Sequence, residues 1–187
     1  MVTFYSKRNK VFLRDNIVEK HFNTIESASF EAAMLEKLYA AKVRVPKFIA
    51  QENNVIKMSY IPGETIPDLL EHEFDTQKVA DGIVKWFADF YRAENFRGDV
   101  NGRNFLWDGE NIWGVDFEEE VFGVKEQDFG RLIAFILTYT SPHIHIKTEF
   151  ADKMFRESVK TFNFDKNLIN IYREQELNDM CERRKLT

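Results

Sequence analysis

The sequence predicts an α+β chain folded in two lobes, a short β-rich N-lobe over residues 1–62 and a compact helical C-lobe over residues 63–187. Three observations predict it. β-rich runs broken by turn residues fill residues 1–22. Apolar residues then recur at helical spacing from residue 29 and again from residue 76. The first glycine in the chain, Gly63, follows Pro62 where strand-like character gives way to helical character.

Residues 2–5, 11–14 and 17–22 read as an antiparallel meander, separated by the turn-forming residues 6–9 and by Asp15-Asn16. Phe30, Ala33, Met34, Leu35 and Leu38 place one apolar face on a helix over 29–41, ended by Pro46 beyond it. Strands over 47–51 and 55–61 turn at Asn53-Asn54 and close at Pro62-Gly63. Val79, Ile83, Trp86, Phe87, Phe90 and Tyr91 mark a core helix over 76–94. A hairpin follows, with strands over 104–107 and 112–115 joined by Asp108-Gly109-Glu110-Asn111. From about residue 127 the chain reads as helices.

Composition narrows the class of function. Hydrophobic residues at 44% and eighteen Phe supply enough apolar surface to offset the ordering entropy, which excludes intrinsic disorder. No apolar run approaches the roughly 20 residues of a membrane span, the N-terminus lacks the apolar core of a secretory signal, and Cys181 has no disulfide partner. The expected location is the cytoplasm. A net charge of -5 gives no broad field for nucleic acid or anionic membrane. The basic clusters Ser6-Lys7-Arg8-Asn9-Lys10 and Arg183-Arg184-Lys185 read as a solvated turn and tail.

The chemistry concentrates in Arg97-Gly98-Asp99-Val100-Asn101-Gly102-Arg103-Asn104, and after the hairpin in Gly114-Val115-Asp116-Phe117-Glu118. A carboxylate beside a hydroxyl can orient or accept its proton, and an amide oxygen with a second carboxylate supplies hard ligands to magnesium at nucleotide phosphates. Asp99, Asn104 and Asp116 suit those three roles; the plain alternative is that they are turn and strand-end residues.

This stretch resembles the catalytic loop and metal-binding aspartate of protein kinases and their relatives, above all the aminoglycoside-phosphotransferase branch, with its His-Gly-Asp-x-x-x-x-Asn followed by Asp-Phe-Glu. The resemblance implies a protein-kinase-like fold using ATP and magnesium, with Asp99 catalytic and Asn104 and Asp116 on the metal. It implies Lys20 as the lysine on the nucleotide phosphates and Glu31 as its ion-pair partner, with Glu26 and Glu36 as alternatives. Ser59, Tyr60 and Ile61 match the hinge whose backbone holds adenine. Asp128-Phe129-Gly130 copies the kinase metal motif as text, but it lies too far beyond the hairpin, and Asp128 is expected to brace the catalytic loop.

The departures are as informative. No glycine precedes Gly63, so Ser6, Lys7 and Arg8 stand where relatives carry a glycine-rich loop and are expected to reach the phosphates with side chains. Arg97 replaces the family His, and Asn101 the phosphate-binding Lys of protein kinases. The stretch after Asp128 is too short for the substrate-binding insertions of antibiotic kinases. In size the chain is similar to the small atypical kinase of the tRNA-threonylcarbamoyladenosine machinery, which leaves an indirect link to tRNA modification and a protein partner open. The expected function is phosphotransfer to a hydroxyl of a small molecule or a protein serine. The alternative is a nucleotide-binding pseudokinase or ATPase-type partner subunit. His143 and His145 read as surface residues rather than metal ligands.

Overall fold

Asp15 and Asn16 both adopt left-handed backbone, φ 51° and 61°, as a two-residue hairpin turn demands, and so fix the pairing of the strands on either side. The computed structural model describes residues 2–4, 9–118 and 121–185. β1 (Val2–Phe4), β2 (Lys10–Arg14) and β3 (Ile17–His21) form an antiparallel meander. β4 (Phe48–Glu52) and β5 (Val55–Ser59) turn over Asn53, left-handed at φ 53°. β5 joins β3, which gives a five-stranded sheet in the order β1-β2-β3-β5-β4. β5 ends at Ser59 rather than at the predicted residue 61, because the Tyr60 N–H leaves the ladder and donates to the Asn16 carbonyl at 3.1 Å.

Helix α1 (Ile25–Ala40) starts earlier than the predicted residue 29. Thr24 is the reason: its Oγ1 accepts the Ser27 N–H at 3.1 Å, so the Ser/Thr cluster that reads as loop is a helix cap. The helix buries Ala28, Glu31, Ala32, Leu35 and Leu38 and packs on β4 and β5.

Two elements beyond Gly63 were not legible as separate units. β6 (Glu64–Thr65) runs into the short helix α2 (Ile66–Leu69), where Thr65 and Asp68 exchange capping hydrogen bonds. β6 pairs with β7 (Phe105–Trp107), and β7 with β8 (Ile112–Gly114), so the predicted hairpin is the larger part of a three-stranded sheet. A two-residue strand has its only partner far along the chain, which local pattern does not reveal.

The remaining helices are α3 (Thr76–Ala93), α4 (Lys125–Thr138), α5 (Ile144–Phe162) and α6 (Lys166–Lys185). Asp75 caps α3 by accepting the N–H groups of Gln77 and Lys78. The apolar stripe of α3 is core: Trp86 meets Phe105 edge-on at 5.3 Å between centroids, and Phe87 lies 4.7 Å from Phe129. α4 carries Asp128-Phe129-Gly130, and a Cβ on Gly130 would come within 2.7 Å of the Ile169 carbonyl and of the Tyr172 Cβ, so glycine lets α4 and α6 touch. Arg183 is part of α6 rather than of a free tail, and it donates to Glu176 at 2.7 Å. No helix among the described residues is long and apolar enough to cross a membrane.

Candidate functional site

Alternation along β3 sets the first side chain of the site. Val18 and Phe22 pack with the core, and Lys20, two residues from each, points to the same side and is 6% exposed. An ammonium cannot lie there unpaired. It donates to Glu31 Oε2 at 2.6 Å and Asp116 Oδ1 at 2.6 Å, and lies 2.7 Å from Glu118 Oε1. Helical spacing on the buried face of α1 delivers Glu31, rather than Glu26 or Glu36, to this point.

One cation among three carboxylates leaves a surplus of negative charge, which the pKa values reflect. Burial works to lower Lys20, but Glu31, Asp116 and Glu118 raise it well above its ordinary value, so it stays protonated. Burial pushes the Glu31 carboxyl up to about 7 against the pull of Lys20. Partial burial works to raise Asp116, yet Lys20 beside it holds its carboxyl below the usual range. The driest acid is thus the one that gives up its charge most readily.

Glu118 is the residue that the sequence reading quoted but did not assign. It follows Asp116 by two positions, and its carboxylate oxygen lies with those of Glu31 and Asp116 within 4.8 Å of one another. Asn9, 8% exposed, donates to Glu118 Oε1 and ties the end of the first turn to the site. Ser6, Lys7 and Arg8 lie outside the described residues.

The loop from Arg97 to Asn104 is held from behind. Asp128 accepts the N–H groups of Arg97 and Gly98, each at 2.8 Å, and the Tyr91 hydroxyl at 2.9 Å. Arg131 donates to the Gly98 carbonyl at 2.8 Å. Gly98 sits at φ +74°, and a Cβ there would come within 2.3 Å of Val121, so no other residue fits. Arg97, the replacement for the family His, is buried; its Nη2 donates to the carbonyls of Val115 at 2.8 Å and Asp116 at 2.5 Å, and its guanidinium lies over the Phe117 ring. Asp116 has φ 67°, an uncommon conformation for a side-chain-bearing residue, and these bonds hold it. Arg97 is therefore a brace on residues 115–117.

Asp99 is exposed, with Oδ1 accepting the Asn101 N–H at 3.3 Å. Asn104 is 7% exposed; its carbonyl accepts the Val115 N–H at 3.0 Å, and its Nδ2 donates to the Asp99 carbonyl at 3.5 Å. Its Oδ1 accepts no hydrogen bond among the described residues, so a hard oxygen is left over next to the segment that carries Asp116. The donor set fits magnesium, which takes amide and carboxylate oxygens. Asn101 is committed to structure: its Oδ1 accepts the Arg103 N–H at 3.0 Å and the Tyr139 hydroxyl at 2.8 Å. At the end of β5, the N–H of Ser59 is taken by the Lys47 carbonyl at 2.9 Å and that of Tyr60 by Asn16. Ile61 alone of the three has an N–H without a partner among the described residues.

Asp128 offers a pH test. Burial pushes its carboxyl up to about 6, against three donors that pull it down. The ordinary value is about 3.9, so folding favours the protonated acid, and its contribution is greatest below about pH 4 and is lost as pH rises toward 6, by roughly 3 kcal/mol at most. Asp128→Asn sets an amide against two backbone donors and should destabilise by about 1–3 kcal/mol at pH 4. The gap to wild type should then narrow as pH rises to 6. Denaturant unfolding of both proteins across that range measures it, and a gap that widens would mean that the three donors outweigh burial.

Known proteins share this fold. Aminoglycoside phosphotransferase APH(2'')-Ib, solved with ADP, superposes at a TM-score of 0.60 with 15% identity, over 95% of this chain and 81% of that one. The streptomycin–ATP complex of APH(2'')-IIa gives 0.59 and 14%, over 95% and 81%. A choline/ethanolamine kinase family protein from Mesorhizobium loti gives 0.51 and 14%, over 95% and 85%. At such identities the likeness establishes the two-lobed kinase-like fold. The RIO domain model matches residues 2–132, the stretch that runs from the first strand through Lys20, Glu31 and residues 97–104 to Asp128. The chain belongs to the RIO domain family of atypical protein kinases, within the protein-kinase-like superfamily.

Proposed function

We propose that the chain transfers the γ-phosphoryl group of ATP to a hydroxyl acceptor with the help of magnesium. Family and fold support ATP-dependent phosphotransfer in general. The observation that carries the finer reading is the Lys20 ammonium held between Glu31 of α1 and Asp116 beyond the hairpin, at 2.6 Å from each.

In this reading Lys20 meets the phosphates, the Ile61 N–H with Ser59 and Tyr60 receives adenine, and Asn104 and Asp116 hold magnesium with Glu118 beside them. Bound magnesium would neutralise charge on the transferring group. Asp99, exposed at the turn of its loop, orients the acceptor. The acceptor oxygen bonds to phosphorus as the bond to the β-phosphate oxygen breaks, ADP leaves, and the hydroxyl proton passes to Asp99 and on to solvent. A hollow of about 490 Å³ along the same loop, lined by Pro67, Glu71, Asn101, Arg103, Tyr139 and Arg183, is where we place the part of the acceptor away from its reacting hydroxyl.

The test is transfer of labelled γ-phosphate from ATP to the chain's own hydroxyls or to added acceptors. Asp99→Asn should lower turnover by about 10²–10⁴-fold while leaving ATP binding nearly unchanged. Equal turnover in that variant would remove Asp99 from the mechanism. One observation favours a second reading, a nucleotide-binding regulatory subunit. Lys20 already has three carboxylate partners for its three protons, so ATP must displace at least one of them. ATP binding without turnover for any acceptor would select that reading.

A further inference from the structure

A second hollow, of about 470 Å³, opens between the end of α1, the loop to β4, helix α3 and β8, and it shares no residue with the site around Lys20. Lys42, Arg44, Lys85 and Arg92 line it together with Tyr39 and Trp113, and Asp89 is its one acid. Four cations thus converge on one concavity in a chain whose net charge is -5. Like charges brought together repel, so the arrangement stores a preference for an anion.

The local structure explains how the sequence builds it. Val43 and Val45 are buried at 3% and 1%, so Lys42 and Arg44 alternate with them onto the outer side. The Arg44 carbonyl accepts both the Gly114 N–H at 3.0 Å and the Trp86 indole N–H at 2.9 Å, which pins the backbone beneath its guanidinium. Lys85, Asp89 and Arg92 follow helical spacing on α3, and Asp89 is engaged by Arg92. Lys42, Arg44 and Lys85 make no hydrogen bond or ion pair through their side chains among the described residues; Asp108 nearby is held below its ordinary value, against burial, by the Trp113 indole and the Asn111 and Glu110 N–H groups, with Arg44 adding to them. Trp113 donates its indole N–H to Asp108 at 2.6 Å, so its ring is fixed in orientation.

We propose that this hollow binds a nucleotide, either free or as part of a single strand, with its phosphates on Arg44, Lys42 and Lys85 and its base against Trp113 or Tyr39. Arginine and lysine supply the charged donors that phosphate oxygens take, and a half-exposed aromatic ring supplies a stacking face that tolerates any base. The volume lies in the range of small-ligand pockets. A simple carboxylate would use the cations and leave the rings idle.

The test uses the full chain, a fluorescein-labelled uridine hexanucleotide and UDP, with anisotropy read at about 50 mM salt. The hexanucleotide should bind, and the double variant Arg44→Glu, Lys85→Glu should weaken it by roughly tenfold or more. The magnesium-dependent part of the ATP melting shift, which reports the cleft around Lys20, should be the same in both proteins. Displacement of the hexanucleotide by UDP would assign the free nucleotide as ligand, and binding that UDP does not displace would assign the strand. Absence of binding to either probe, or binding that the charge reversals leave intact, would overturn the proposal.

Discussion

Lys20→Met should destabilise the fold by about 3–5 kcal/mol and lower phosphotransfer by about 10²-fold or more. Methionine fills much of the same space, so packing is not the main loss. What disappears is the one cation among Glu31, Asp116 and Glu118, and the nearly dry Glu31 carboxylate is left without its 2.6 Å partner. Removing one side of a buried pair costs far more than removing both. The double variant Lys20→Met, Glu31→Gln should therefore recover part of the lost stability in denaturant unfolding while staying inactive. A double variant no more stable than Lys20→Met would show that Glu31 is not the group strained by the loss of the lysine.

Arg97→Ala should cost roughly 2–5 kcal/mol, because it strips donors from two carbonyls and empties the space over Phe117. The larger consequence is functional. Asp116 sits in left-handed backbone at φ 67°, and without the guanidinium no other donor among the described residues clasps its carbonyl. Nucleotide affinity should fall even where the protein remains folded. Arg97→Lys should rescue little, since one ammonium does not reproduce a planar fork and does not lie flat on a ring. Affinity for magnesium–ATP, measured on protein verified as folded, separates these outcomes; wild-type affinity in Arg97→Ala would reduce the residue to packing.

The placement of residues 97–104 and 114–118 on either side of one hairpin is legible in the sequence because the two runs are close along the chain and Asp108 caps the turn between them locally. Lys20 and Glu31 were legible as a pair only through resemblance, since nothing local marks a lysine in a strand as inward-facing. The structural reason lies in the register between β3 and its neighbours, where Lys20 stands opposite Val11 and Ile56. Glu118 and Asn9 went unassigned because their contact joins residues at opposite ends of the site. The cap at Thr24 was readable in principle from Thr and Ser ahead of an apolar run, yet the same residues also spell a loop. Tyr91 read as core, and it is packed as core, but its hydroxyl reaches Asp128 from the edge of that core. The basic hollow is not legible in the sequence, because its cations come from two separate stretches and are diluted by the acidic whole.

The central claim is that Asp116 and its neighbours form a magnesium–nucleotide site, and the melting temperature with ATP, in the presence and absence of magnesium, tests it most directly. At a hundredfold excess over Kd a ligand that binds only the folded state adds about 2.7 kcal/mol, which for a chain of this size raises the melting temperature by roughly 5–10 °C. Wild type should show that rise with magnesium and a smaller one without it, and Asp116→Asn should lose the magnesium-dependent part. A full magnesium-dependent shift in Asp116→Asn, or no shift with ATP in wild type, would contradict the account.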